Sequence, residues 1–183
     1  MIFKISWILR AVLYKAFMGR LSLPSYIGRP ICIHNFGKIF IGKFVRIYPN
    51  VRLEVHNSNA RLIIEDNVGI AQNVHITSGG DLVIGKSSTI LANVFITNID
   101  HDYTEINKPI LDQEMVVKKT VIGENCFIGI GAAIQAGTIL GKQCIVGANS
   151  VVRGEFPDYC VIVGSPAKII KKYNFETQNW EKI

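Results

Sequence analysis

A six-residue beat runs through this chain, and it constrains the fold more than any other feature of the sequence. Ile, Leu or Val returns every sixth position, first in IGKFVR and IYPNVR, led by Ile41 and Ile47. The beat resumes in IEDNVG and IAQNVH (Ile64, Ile70) and in IGKSST and ILANVF (Ile84, Ile90). It then runs unbroken through IGENCF, IGIGAA, IQAGTI, LGKQCI and VGANSV, led by Ile122, Ile128, Ile134, Leu140 and Val146. The fifth slot is also restricted, holding Val45, Val51, Val68, Val74, Ser88, Val94, Cys126, Ala132, Thr138, Cys144 and Ser150, all small or β-branched. A large aliphatic residue followed four positions later by a small one describes a short strand and a tight corner with little room on its inner side. A helix needs apolar spacings of three and four, which this pattern does not supply.

If three hexads close one triangular coil, residues eighteen apart stack: Ile122 on Leu140, Ile128 on Val146, Ile134 on Val152. Departures from eighteen then locate insertions. The step from Ile41 to Ile64 carries five extra residues around His56 to Ala60, and that from Ile64 to Ile84 carries two around Ser78 to Gly80. The step from Ile84 to Ile122 is 38, so some twenty residues leave the coil between Thr97 and Val117. An insertion that long in so regular a solenoid is where function is expected. The predicted organisation is an apolar, basic helix and connector over 1–27, a parallel β-helix over 28–167 with its extruded loop at 97–117, and a C-terminal tail or short helix over 168–183.

Charge is distributed unevenly. Residues 1–53 contain nine Lys or Arg and no Asp or Glu, while the rest of the chain holds eleven basic against fourteen acidic residues. No helix-turn-helix, zinc-finger or interleaved aromatic and basic pattern accompanies the basic part, which excludes nucleic acid as the expected partner. The opening MIFKISWILRAVLYKAFMGR is interrupted by Lys4, Arg10, Lys15 and Arg20, too often to span a bilayer. Peripheral contact with a membrane through residues 1–20 and capping of the solenoid are equally weighted expectations. The four cysteines form no CxxC pair and no secretory cleavage pattern is present, so a cytoplasmic compartment is expected, at the inner face of the membrane if the helix binds there.

The hexads resemble the hexapeptide-repeat acyltransferases over about residues 28–172. The run FIGIGAAIQAGTILGKQCIVGANSVV followed by FPDYCVIVGSPAKII resembles the branch of maltose, galactoside and nodulation-factor acetyltransferases and of surface-polysaccharide O-acetyltransferases. The resemblance implies an all-β, left-handed parallel β-helix, a homotrimer, acetyl-CoA as co-substrate and a saccharide acceptor. The hand comes from the resemblance alone, since parallel crossovers are otherwise right-handed.

By that resemblance His101, in NIDHDY, is the general base that removes the proton of an attacking sugar hydroxyl, a task suited to imidazole. Asp100 or Asp102 is expected to orient its ring, with Glu105 close in sequence. The pantetheine arm of acetyl-CoA is expected along Gly129, Ile130 and Ala148, with Phe127 where a Trp is commoner, and its phosphates near Arg153, Lys168 and Lys171. Tyr103 and Glu105 are expected to meet the sugar. His34, His56 and His75 read as surface or corner residues, no ligand set for a metal is present, and Cys126 and Cys144 read as packing atoms, so no covalent acyl-enzyme is expected. Two alternatives stay open: an N-acetyltransferase of an amino sugar or nucleotide-linked sugar, and a non-catalytic β-helix scaffold.

Overall fold

In the computed structural model, residues 2–183 are described, Ile2 and Phe3 by their backbone alone. Each hexad forms a strand of two to four residues, and three strands close a coil of a left-handed parallel solenoid of about 7 turns. The coils stack into a seven-stranded, a nine-stranded and a six-stranded sheet. Stacking follows the eighteen-residue frame, with Ile122 paired to Leu140, Ile128 to Val146 and Ile134 to Val152. The insertions do not disturb the frame: Ile41 still pairs with Ile64, Ile64 with Ile84 and Ile84 with Ile122. The excess residues therefore leave at corners while the strands keep register. A one-residue slip would turn every inward aliphatic outward.

The first-slot and fifth-slot residues are all buried and make one continuous core along the axis, with Ser88, Thr138 and Ser150 as its polar exceptions. Those hydroxyls have partners: Ser88 Oγ donates to the Gly123 carbonyl, and Thr138 Oγ1 to that of Val152. Sequence reasoning overlooked the fourth slot. Every fourth-slot residue from Phe44 to Asn149 has left-handed backbone, with φ between 50° at Gln143 and 87° at Gly137. Asn, which tolerates this conformation, occupies six of the eleven slots: Asn50, Asn67, Asn73, Asn93, Asn125 and Asn149. Asn73 Nδ2 donates to Asn93 Oδ1 of the next coil at 3.1 Å, so the turn residues also tie coils together.

Both ends differ from expectation. The solenoid begins before residue 28, because Arg20–Leu21 pairs with Phe40–Ile41 and Tyr26–Ile27 with Arg46–Ile47. The helix α1 (Ile2–Tyr14) lies over this first coil. Trp7 packs on the Tyr26 and Tyr48 rings at 5.8 and 5.5 Å, Arg10 Nη1 donates to the Ile27 carbonyl, Ala11 is buried, and Tyr14 meets Phe36 edge-on. The helix is thus the cap that an open solenoid end requires.

The C-terminal stretch is not a helix. Cys160–Gly164, Ala167–Asn174 and Asn179–Lys182 form an antiparallel meander on the nine-stranded sheet. Gly164 at φ 107° begins the reversal, and Ala167 and Ile169 pack on the core while Lys168 and Ile170 face out, an alternation of period two that no helix shares.

Candidate active site

The extruded loop is a β-hairpin. Ile99–His101 pairs antiparallel with Met115–Val117, placing Ile99 opposite Val117, Asp100 opposite Val116 and His101 opposite Met115. Its base is held by a buried Asn98, whose Oδ1 accepts from the Gly79 amide at 2.8 Å and whose backbone carbonyl accepts from the Lys118 amide. Gly79 and Gly80, the two-residue insertion, form the seat. A Cβ on Gly79 would lie 3.0 Å from both Ile99 and Val117 side chains, and one on Gly80 would lie 2.7 Å from Val117 Cγ1. The five-residue insertion supports this seat in turn, with Asn57 Nδ2 donating to the Gly79 carbonyl at 2.6 Å. The three departures from the repeat therefore stack at one corner and build one feature.

That feature is a cavity of about 420 Å³ lined by His56, Thr77, Phe95, Thr97, Ile99, His101 and Met115. His101 projects from the hairpin with its Nδ1 buried and without a hydrogen-bond partner, the one such side-chain nitrogen or oxygen among the described residues. Thr77 and Thr97 are register partners on adjacent coils of the sheet beneath it. In the same row, Glu54 pairs with Thr77 and His34 with Glu54. Glu54 accepts from Arg52 at 2.6 Å and shares a hydrogen bond with His75 Nε2 at 2.8 Å. Burial pushes the Glu54 carboxyl up, but the Arg52 and His75 hydrogen bonds outweigh it and hold the group below the usual carboxylate range. The His75 ring packs on Phe95 at 5.2 Å, which joins this polar cluster to the cavity wall.

Asp100 and Asp102 do not take the role of ring orienter within this chain. Asp100 Oδ2 accepts from Lys118 Nζ at 2.8 Å and from Arg153 Nη2 at 3.1 Å, and its Oδ1 accepts from the His101 backbone amide rather than the imidazole. The Lys118 hydrogen bond foremost, aided by the His101 amide and the charges of Lys118 and Arg153, holds this carboxyl below the usual range against a penalty from burial. Asp102 Oδ1 accepts from the Thr104 amide, which lowers its pKa. Asp100 is a strut between hairpin and solenoid, and Asp102 closes a local turn. Tyr103 is 72% exposed and Glu105 bonds Lys108, so both sit on the outer part of the hairpin, away from the cavity lining.

The expected cofactor positions divide. Phe127, Gly129, Ile130 and Ala148 meet at one corner of the last regular coils: a Cβ on Gly129 would lie 2.6 Å from the Ala148 amide nitrogen, and the Ile130 carbonyl accepts from the Asn149 amide. Phe127 and Ile130 are 43% and 46% exposed there, an apolar ledge on an otherwise regular surface. Gly129 is demanded by the passage of the next coil. Arg153 is held by Asp100 instead of standing free for a phosphate. Lys168 and Lys171 lie on the first strand after the Gly164 reversal, paired with Val163 and Val161 across a register shift, Lys168 exposed and Lys171 half-buried.

Sequence reasoning missed His56, Thr77, Phe95, Thr97 and Met115. The available signal was the Gly79-Gly80 pair inside an insertion, which marks a seat for another backbone. Cys126, Cys144 and Cys160 form a buried ladder, with Cys144 Sγ 3.6 Å from Cys160 Sγ. The hydrogen bond with Cys144 and then burial push the Cys126 thiol up, and burial first pushes Cys160 up to about 12. Neither offers a reachable thiolate. Among the described residues no group of three or more His, Cys, Asp or Glu is arranged to hold a metal ion.

The solenoid thus carries a His-bearing hairpin over a cavity and exposed apolar residues at its last regular coils, and comparison with known proteins shows what such a chain is similar to. The profile of the bacterial transferase hexapeptide (six repeats) matches residues 119–154. WbbJ of Escherichia coli (strain K12), named as a lipopolysaccharide biosynthesis O-acetyl transferase, is 37% identical over 160 residues, covering 84% of this chain and 81% of that protein. WcaF of the same organism, named as a colanic acid biosynthesis acetyltransferase, is 28% identical over 134 residues, covering 72% of this chain and 68% of WcaF. Among solved structures, the N-acyltransferase AntD from Bacillus cereus, in complex with dTDP and 3-hydroxybutyryl-CoA, superposes with a TM-score of 0.77 at 21% identity, over 92% of this chain and 90% of AntD. This last likeness is one of fold. The chain belongs to the hexapeptide-repeat acetyltransferases.

Proposed function

We propose that this acetyltransferase moves an acetyl group from acetyl-CoA to a hydroxyl of a saccharide during synthesis of a bacterial surface polysaccharide, such as an O-antigen, capsule or exopolysaccharide. His101 acts as general base. The observation that carries this reading is the buried, unpartnered Nδ1 of His101, whose ring lines a cavity with the Thr77 and Thr97 hydroxyls and the His56 imidazole as its other polar walls. Leaving such an atom unpaired costs about 1–3 kcal/mol, which supports a role for this ring beyond packing. Thr77 presents a hydroxyl suited to a sugar and Phe95 an apolar ring, while Thr97 Oγ1 accepts from the Ile99 amide at 2.9 Å and fixes the base of the hairpin.

The acetyl donor would run along the ledge of Phe127, Gly129, Ile130 and Ala148, with Lys168 and Lys171 toward its phosphates and Arg153 between ledge and hairpin. In the reaction His101 takes the proton of the acceptor hydroxyl as its oxygen attacks the thioester carbonyl, and the CoA thiolate leaves. The burial of the Cys126, Cys144 and Cys160 thiols in the core supports direct transfer without an acyl-enzyme. Homotrimerisation, with the cofactor groove between adjacent subunits, and a cytoplasmic location at the inner membrane face complete the proposal. Tyr103 and Glu105 on the outer hairpin would reach an acceptor too large for the cavity.

The likeness to WbbJ favours an ester product, whereas AntD supplies a second reading, N-acylation of an amino sugar. Incubation with radiolabelled acetyl-CoA and a bacterial surface polysaccharide separates them. Label released by mild alkali supports O-acetylation, while alkali-stable label supports the amide. Unchanged transfer by His101→Ala would overturn the assignment of the base, and no transfer by wild type to any saccharide would promote a scaffold role.

A further inference from the structure

We infer that the outer face of α1 docks the protein on an anionic phospholipid surface. The helix has two apolar faces, and the solenoid uses only one of them. Trp7, Arg10, Ala11 and Tyr14 recur at i, i+3, i+4 and i+7 and bind the first coil, as described above. On the opposite side Ile5, Ile8, Leu9, Val12 and Leu13 follow the same helical spacing, and Phe17 continues beyond the helix. These six residues are 47% to 64% exposed. An exposed aliphatic stripe on a helix already docked by its other face has no role in capping.

The stripe also runs into a largely apolar cleft of about 370 Å³, shared by Ile8 with Leu23, Pro24, Tyr26 and Phe44. Phe44 is itself 56% exposed, at a left-handed corner where most of its counterparts carry Asn. A bulky aromatic there costs backbone strain and gains nothing for the corner, but it extends the apolar surface.

Charge selects the occupant. Lys4, its Nζ 5.9 Å from the Tyr26 ring centroid, and Lys15 lie along one edge of the stripe, Arg46 lines the cleft, and no Asp or Glu occurs within residues 1–53. A second copy meeting this face would oppose cation to cation. An anionic bilayer instead accepts the aliphatic side chains at its acyl boundary and the cations at its headgroups. No helix among the described residues is long and apolar enough to cross a membrane, so contact is in the interface plane.

Deleting residues 1–20 would also remove Ala11 and Met18 from the core. Substitution of the exposed positions avoids this. The full chain is centrifuged with vesicles of phosphatidylcholine, alone or mixed with phosphatidylglycerol. Wild type is expected to pellet with the mixed vesicles and to be released by salt. Leu9→Asn with Leu13→Asn is expected to lower partitioning by about tenfold or more, while its far-ultraviolet circular dichroism stays unchanged. Lys4→Gln with Lys15→Gln should weaken binding chiefly at low salt. Absence of wild-type binding, or equal binding by the Leu9 and Leu13 variant, would overturn the inference. So would a fall in solution mass for that variant, which would assign the stripe to contact between copies. None of these readouts depends on acetyl transfer, so they stand or fall apart from the proposed reaction.

Discussion

Gly80→Ala tests whether the hairpin's seat positions the chemistry. The new methyl would sit 2.7 Å from Val117 Cγ1, about 1 Å inside ordinary carbon contact. Val117 is paired with Ile99, two residues from His101 on the same strand, so the shortfall is relieved by lifting the hairpin from the solenoid. Displacing a catalytic group by about 1 Å can cost about 100-fold in rate. Stability should fall only modestly, by at most about 1–3 kcal/mol for the overpacked contact, because Gly80 has no left-handed φ and the hairpin it strikes is extruded from the core. The expected signature is a large fall in kcat, measured as CoA thiol release with acetyl-CoA and surface polysaccharide, beside a cooperative melt lowered by no more than about 10 °C. Adding Val117→Ala, which removes the struck methyl, should restore much of the rate. Wild-type kcat in Gly80→Ala, or no rescue by the double variant, would refute this reasoning.

Other expectations follow from the same geometry. Ile122→Ala empties a fully buried slot between Ile84 and Leu140 and should cost about 2–5 kcal/mol, lowering Tm by about 2–4 °C per kcal/mol, whereas Ile139→Ala on the half-buried outer face should cost less. Asp100 has a lowered folded pKa, so its ion pairs are in place above the unfolded value of about 3.9 and are lost as pH falls through the folded value. They are worth at most about 1 kcal/mol after solvent screening, and the Tm difference between wild type and Asp100→Asn should vanish once pH is below both values. Cys126→Ala should retain wild-type turnover in the thiol-release assay, and loss of turnover with the fold intact would reopen an acyl-enzyme route.

Much of the solenoid was legible because its signal is repeated: Ile122, Leu140 and their counterparts each announce the same inward position, and insertions appear as simple excesses over eighteen. The two ends were harder to read, since neither repeats. AKIIKKYN carries an alternation of period two that a helix-minded reading of GSPAKIIKK passes over, and Arg20–Leu21 joins a coil without a hexad of its own. The site was legible only in part. His101 stood out through its place in the long insertion, but its neighbours come from other coils. Thr77 meets Thr97 and His56 meets the cavity through stacking, which sequence separation hides. Asp100 misled for a related reason: adjacency in an extended strand points neighbouring side chains to opposite faces, so the carboxylate beside His101 in sequence was poorly placed to reach its ring.

The central claim is that this fold binds acetyl-CoA and uses His101 as the base of acetyl transfer. Calorimetric titration of acetyl-CoA into wild type and His101→Ala, followed in the same cell by thiol release on adding surface polysaccharide, tests it most directly. The account predicts binding by both proteins and release by wild type alone, with His101→Ala slower by about 10²–10⁴-fold. Binding by neither, or equal thiol release by both, would contradict it.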